Sequence, residues 1–424
     1  MVSYIKKAVL AFLILFSIFI ISLLLASLIP SRLLKNNITL SLVTLNKEGT
    51  YPSIGPIWRS IVLDNYTDPL ILNTAYSVNP VEPLESSLLN YRYMESPEQF
   101  NQIINLEKTV QSKAPTKVAY ERYWHGYLAY LRPLLVLFSY SQIRFIINLF
   151  LFGGLFILLY KIRKEAGLLK AVIFLFAMFA VDYFHLGRSI QFSNVFLVGI
   201  FSSIYLLSIH KKNVNNYTLF FIVGALTSYF DLLTAPLVSL GILLIVELFL
   251  ENRGWLKIIK NSFSWSFGYL SLWASKWVVV TVLYAPGSIF TSLAQVVNRT
   301  VTIPDNNFSY LKTLRLNIFQ LIGYHKSNKV FFLAVFLALL ILSIKYFKFS
   351  KVNFKRITSW LIISIIPYLW YLIAANHSYL HVWYTYRNQF MSVVAGFMIV
   401  YELTNVRLKK SASNRSNKRL NKIR

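Results

Sequence analysis

The sequence predicts an all-α fold: a polytopic transmembrane helix bundle of about ten spans, N-in and C-in, with a long first extracytoplasmic loop carrying interfacial helices. Two observations predict it. Segments of roughly 18 to 22 mostly apolar residues can each cross about 30 Å of hydrocarbon as a helix. They lie at 8–29, 142–160, 167–184, 190–209, 217–232, 234–250, 264–284, 329–346, 357–375 and 388–405. Threading them from an inner N-terminus then gathers the basic residues on one side and most carboxylates on the other, which is the positive-inside pattern. The inner segments carry Lys6 and Lys7, then Lys161, Arg163 and Lys164, then Lys211 and Lys212, then Arg253, Lys257 and Lys260, and later Lys345 to Arg356.

Taken in order, the N-terminus places Lys6 and Lys7 before an apolar run that is too long for a signal peptide and lacks a small-residue cleavage site, so it is the first span. Residues 30–127 follow outside as an extracytoplasmic loop region. Within it, Asn37 to Leu45 (NITLSLVTL) alternates weakly and predicts a strand, and Gly49 to Pro56 is a turn-rich loop. Pro97 to Val110 has Phe100, Ile103, Ile104 and Leu106 at near-helical spacing, an amphipathic helix on the membrane surface or on the bundle. Tyr120 to Phe138, aromatic and interrupted by Pro133, reads as an interfacial or re-entrant element. The second long outer loop is 285–328, with turn signals at Pro286 and Gly287. Helix breaks are expected near Gly153 and Gly154, at Pro236 and at Pro367. Residues 1–405 thus form a single membrane domain, and 406–424 a basic, disordered cytoplasmic tail held near anionic headgroups.

Composition excludes several classes. A net charge of +27 would normally suggest nucleic acid, but here it is spread over alternate short loops, where it sets orientation. The absence of cysteine excludes disulfides and thiolate metal sites. There is no Walker loop, Rossmann fingerprint or GxSxG elbow, and no cytoplasmic segment is long enough to fold as a nucleotide-driven domain. Frequent Ile, Lys, Asn and Tyr suggest an AT-rich bacterial genome, hence a multi-pass protein of the bacterial cytoplasmic membrane.

Three constellations carry candidate chemistry. Asp64 and Asp68 in the first outer loop are four residues apart, so on a helix they share a face, where they could divide base and orienting duties or bind a divalent cation. The plainer alternative is a solvated turn with Asp64 capping a short helix. Asp182, His185, Arg188 and Asp231 sit at outer helix ends, where ionisable groups are expensive unless they face a polar cavity or a partner such as Asp182 with Arg188. The stretch NHSYLHVWYTYR supplies Asn376, His377, Ser378, His381, Trp383, Tyr384, Tyr386 and Arg387, a set of donors suited to a phosphate beside aromatic rings suited to a sugar face or a membrane interface. Two further features stand out. Lys276 lies mid-span, as a counter-ion to Asp231 or snorkelling between Trp273 and Trp277. Tyr123, Trp124 and His125, with Glu121 and Arg122, sit where the long loop re-enters the membrane.

This order of parts, with Asp64 and Asp68 in the first outer loop, resembles the GT-C class of integral-membrane glycosyltransferases. In the wording of DNYTD, YERYWHGYLAYLRPLL, SYFDLLTAPLVSLG and NHSYLHVWYTYR the chain is also similar to a group of uncharacterised bacterial polytopic membrane proteins. The GT-C resemblance implies transfer of a sugar from a polyprenyl-phosphate donor to a cell-envelope acceptor at the extracytoplasmic face. Asp64 or Asp68 would act as base, Arg387, His381 and His377 would hold the phosphate, and Asp231, Asp182 and Tyr123 to Tyr127 would line the sugar or acceptor pocket. Any metal would fall to Asp64 and Asp68. A polysaccharide polymerase, a lipid-linked glycan transporter or flippase, and a non-enzymatic membrane protein are the alternatives. The cytoplasmic halves of the spans are almost free of ionisable groups, which favours one-sided chemistry over transport.

Overall fold

A computed structural model describes residues 2–54, 61–210, 216–250, 254–303, 305–323 and 353–403, with isolated positions 330, 334, 337 and 341. Helix α1 (Val2–Ser27) leads into the loop region, which holds α2 (Lys35–Glu48), α3 (Thr67–Tyr76), α4 (Pro83–Leu89) and α5 (Gln102–Val110). Two short strands there, β1 (Arg92–Met94) and β2 (Thr116–Val118), pair antiparallel. The chain continues through α6 (Leu128–Leu137), α7 (Tyr140–Ala166), α8 (Leu168–Ala180), α9 (Ile190–Ile209), α10 (Tyr217–Phe230), α11 (Leu237–Leu250) and α12 (Trp255–Leu283). Next come α13 (Ser288–Thr300), α14 (Tyr310–Ile322) and α15 (Phe354–Ile373), then short helical turns over Ala375–Leu380 and Val382–Thr385, and helical residues 390–403. The expected all-α class therefore holds among the described residues.

Among the described residues, five helices are long and apolar enough to cross a membrane: α1, α7, α9, α12 and α15. Three expected spans form shorter helices: α8 has 13 residues, α10 and α11 have 14 each. At 1.5 Å per residue these reach only about 20 Å, less than the hydrocarbon thickness. Helix α11 explains the mismatch best. It is buried on every side from Leu237 to Phe249, so its apolar run serves the protein interior. The expected span 329–346, save the four isolated positions, and the basic tail from 406 lie outside the described residues, as do Lys211, Lys212 and Arg253.

Local chemistry accounts for the boundaries. Ser139 and Gln142 form a capping box at the start of α7, and Gly167, at φ +102°, turns the chain from α7 directly into α8. Asn101 caps α5, accepting from the Ile103 and Ile104 amides. The strand expected over Asn37 to Leu45 is instead part of α2. Ile38, Leu42 and Leu45, spaced four and three apart, all face the core, and that helical stripe outweighs the weak alternation. Helix α5 buries Ile103, Leu106 and Val110 against α2 and α3, so its apolar face packs within the loop region. The segment from Tyr120 splits into an irregular stretch and α6, which accommodates Pro133 and buries Arg132. The Arg132 guanidinium donates to the carbonyls of Ala26 and Ile29 at the end of α1 and Ala75 at the end of α3, tying loop region to bundle.

Helices α10 and α12 approach backbone to backbone through Gly224 and Gly268. A Cβ at Gly224 would collide with the Trp265 carbonyl, and one at Gly268 with the Phe221 carbonyl. Near the opposite end from the loop region, buried Glu247 of α11 accepts from Asn216 at 2.7 Å and Asn261 at 2.5 Å and pairs with Lys257 at 2.5 Å, so its charge is compensated. Gly224→Val should therefore lower thermal stability by about 1–3 kcal/mol or more through overpacking. Unfolding of the detergent-purified protein measures this, and an unchanged melting temperature would contradict the close approach.

Candidate functional site

The site is assembled around the two carboxylates of the first loop, which the structure places in different roles. Asp68, in the first turn of α3, is fully buried and saturated: Tyr140 Oη donates to it, as do Ser189 Oγ at 3.2 Å and the Ile190 and Gln191 amides at 2.9 and 3.2 Å. Those amides open α9, so Asp68 caps that helix from another segment. Asp64 precedes α3. Its Oδ1 accepts from the Tyr66 and Thr67 amides at 3.2 and 3.1 Å, and its Oδ2 from Thr67 Oγ1 at 2.9 Å. It is only 4% exposed, and burial pushes its pKa up from the usual 3.8 to about 6 against the hydrogen bonds of Thr67, with Asp68 adding to the rise. Both carboxylates already hold hydrogen-bond donors, and among the described residues no three His, Cys, Asp or Glu side chains stand together as a metal site.

A network behind them was not visible in sequence. Glu48, the last residue of α2, receives Arg144 of α7 bidentately at 2.7 and 3.0 Å, and Asn65 Nδ2 donates to it at 2.9 Å. Arg144 also donates to Asn65 Oδ1 at 3.2 Å and to Tyr140 Oη at 2.7 Å, and Tyr140 Oη in turn donates to Asp68. Burial alone would raise Glu48, but Arg144 and Asn65 hold it below the usual carboxylate range. An arginine one turn inside an apolar span was the available signal, since such a residue needs a partner.

The distal stretch 376–389 comes to the same end of the bundle. Asn376 Nδ2 donates to the Thr302 carbonyl, and Asn317 Nδ2 to the Ser378 carbonyl, fastening it to the second long loop. That loop brings in Arg299 of α13, whose Nη1 lies 2.7 Å from His377 Nδ1 and 3.0 Å from His381 Nε2. A guanidinium only donates, so both ring nitrogens accept and both imidazoles are neutral. His377 Nε2 then donates to the Leu233 carbonyl at 2.7 Å. Burial and the charge of Arg299 hold His381 down to about 3. Leu233 has φ +66°, and the Asp231 carboxylate fixes that turn by accepting from the Thr234 amide at 2.9 Å.

The two distant stretches meet through aromatic rings. Trp383 lies 6.0 Å from Tyr51, centroid to centroid, and Tyr51 lies parallel to Tyr66 at 6.5 Å. Tyr384 stacks on His381 at 5.1 Å. Burial raises Tyr384, and Arg299 opposes the rise. A cavity of about 220 Å³ is lined by Tyr123, Arg122, Leu233 and Arg299, with walls from α12, α13 and α15.

Other expected site residues are placed elsewhere. Asp182 accepts from Tyr386 Oη at 2.5 Å. Arg188 is exposed, and its charge helps to hold the Glu48 carboxylate down. His185 lies half-buried in the turn after α8. Arg387 is 2% exposed, its plane 4.5 Å from the Phe192 ring, with Nη1 donating to the Trp383 carbonyl. His125, at φ +56°, is a buried bracket between Tyr127 Oη and the Tyr120 carbonyl, at 2.6 and 2.7 Å, and burial lowers it to about 3. Trp124 packs on Phe16 and Phe19 and donates to the Leu272 carbonyl. Of the 123–127 stretch only Tyr123 lines the cavity. Lys276 neither pairs with Asp231 nor snorkels: α12 turns it toward α4, where Nζ donates to Asn90 Oδ1 at 2.9 Å and the Ser87 carbonyl at 3.2 Å. Arg299, Glu48 and Arg144 are the residues sequence reasoning passed over.

The chain matches no protein-family model, no curated protein and no solved structure.

Asp68→Asn would turn an amide N–H₂ toward two of the four donors and remove the charge at the start of α9. A loss of about 2 kcal/mol or more is expected, read as a lower unfolding temperature. Wild-type stability in that variant would show that Asp68 is not the anchor.

Proposed function

We propose that this chain is a membrane glycosyltransferase of GT-C type, moving a sugar from a polyprenyl-phosphate donor to a cell-envelope acceptor at the extracytoplasmic face of a bacterial cytoplasmic membrane. In this reading the bundle keeps about ten spans with both termini inside, and anionic lipids hold its basic inner loops. The observation that carries the proposal is Asp64: a nearly buried carboxylate with a pKa near neutrality, at the junction of the first loop with the 376–389 stretch.

The chemistry suits the residues. As the acceptor hydroxyl attacks the anomeric carbon, Asp64 takes its proton. The bond from that carbon to the donor phosphate breaks, and the phosphate leaves with the electron pair, stabilised by guanidinium and N–H donors around it. Asp64 is the better base of the two, because each Asp68 oxygen already accepts from two donors while Asp64 Oδ2 accepts from one.

Because burial raises Asp64 to about 6, it is protonated below that pH and able to accept a proton above it. Transfer should therefore rise with pH through about 6 and level off. Asn can replace Asp64 as an α3 cap, so Asp64→Asn should leave the protein in the membrane while turnover falls by about a hundredfold to ten-thousandfold. Transfer assays with a defined polyprenyl-phosphate sugar measure both effects, and product length separates a single transfer from polymerisation. Near-wild-type turnover in Asp64→Asn would refute the assignment.

A further inference from the structure

Helix α13 has two unlike faces. Phe290, Leu293 and Val297, with Val301 just past its end, follow one another by three, four and four positions and so form one stripe. They are 72%, 48%, 54% and 64% exposed. On the opposite side Ser288 and Ser292 are buried, and Arg299 reaches His377 and His381. The sequence placed its amphipathic surface helix at Pro97 to Val110, but α5 there lays its apolar face against α2 and α3, whereas α13 keeps its own uncovered. Single exposed apolar side chains are ordinary; an aligned stripe of four needs a partner.

The two ends of α13 set its level. Its Ile289 amide donates at 3.0 Å to Thr281 Oγ1 in the last turn of α12. Past its other end, the Thr302 carbonyl accepts at 2.8 Å from Asn376 Nδ2, three residues beyond α15. Both α12 and α15 are able to cross a membrane, and their C-terminal ends border one cavity, through Trp277 and Ile373. A helix of 13 residues, about 20 Å long, tied at each end to the same end of two spans runs along the surface and not through it. The apolar surface is continuous, since Val282 and Leu283 at the end of α12 and Ile373 at the end of α15 are exposed as well.

We infer that α13 lies flat in the outer surface of the bilayer, with the stripe from Phe290 to Val301 sunk among lipid chains and the Arg299 face turned onto the protein. Its partner is the lipid surface itself. The stripe carries no charge, and Arg299 is the one charged residue of the helix, so apolar burial seats it and headgroup charge does not. The bilayer thereby backs the helix that presents Arg299 to two histidines. The inference rests on α12 and α15 crossing the membrane and is independent of the glycosyl-transfer chemistry.

The chain contains no cysteine, so a single introduced cysteine carries a spin label without background. The full chain is reconstituted in phosphatidylcholine vesicles with a nitroxide on Phe290→Cys, Leu293→Cys, Val297→Cys or Val301→Cys. Phe267→Cys, on the exposed side of α12, is the lipid reference, and Lys113→Cys, in the loop region, the water reference. All six side chains are exposed, so these exchanges leave the packing as it is. Oxygen, which concentrates in lipid, should relax the four stripe labels more than an aqueous nickel chelate does, as at Phe267, and place them about 5–10 Å below the surface. Lys113 should show the reverse. Stripe labels that answer to nickel as Lys113 does, while Phe267 answers to oxygen, would overturn the proposal and leave the spans standing. Labels shielded from both reagents would mean that a second copy covers the stripe, which overturns it equally. A depth that grows when phosphatidylglycerol is added would refute seating by apolar burial. Should Phe267 also answer to nickel, the membrane reading falls and this inference with it. Full transfer activity in Asp64→Asn would sink the catalytic reading and move none of these signals.

Discussion

A carboxylate taken out of water must find donors or give up its charge, and Asp68 finds four, on α7 and at the head of α9. That one side chain joins the loop region to two long helices of the bundle. Because Asp68 sits in the first turn of α3, fixing it also fixes the turn before it, where Asp64 receives the Thr67 hydroxyl and amide. Glu48 and Arg144 reinforce the same joint through Tyr140 and Asn65. The loop region is thus held to the bundle by charge-assisted hydrogen bonds, whereas the bundle itself is held by apolar contact and by glycine-mediated approach of α10 to α12.

Helical content and the placing of the long loop could be read from the chain because both rest on local pattern: runs of apolar residues and their spacing. What hydropathy could not tell apart was lipid from protein interior. Helix α11 is as apolar as a span and touches neither water nor lipid over most of its length, since its neighbours cover it. The same limit applies to Asn37 to Leu45, where a weak alternation hid three core-facing residues at helical spacing.

For the candidate site, residue type proved a better guide than residue role. The stretch 376–387 and the first loop do meet, through Tyr51 and Trp383. Yet His125, Trp124 and Lys276, conspicuous as polar or aromatic groups at membrane depth, serve as internal brackets. Arg299 was inconspicuous because it lies in a loop already rich in basic residues, and only tertiary packing brings it against two histidines more than seventy positions away. Sequence spacing reports which side chains share a helix face. It carries no information on which face another helix will cover.

The way Arg299 is held has a further consequence. A cation resting on a carboxylate is electrically spent, and a newcomer must first prise the two opposite charges apart. Imidazole nitrogens exert a weaker grip, giving direction to the guanidinium without neutralising its field. An anion that meets it leaves no orphaned negative group behind and finds the full attraction of the arginine already waiting.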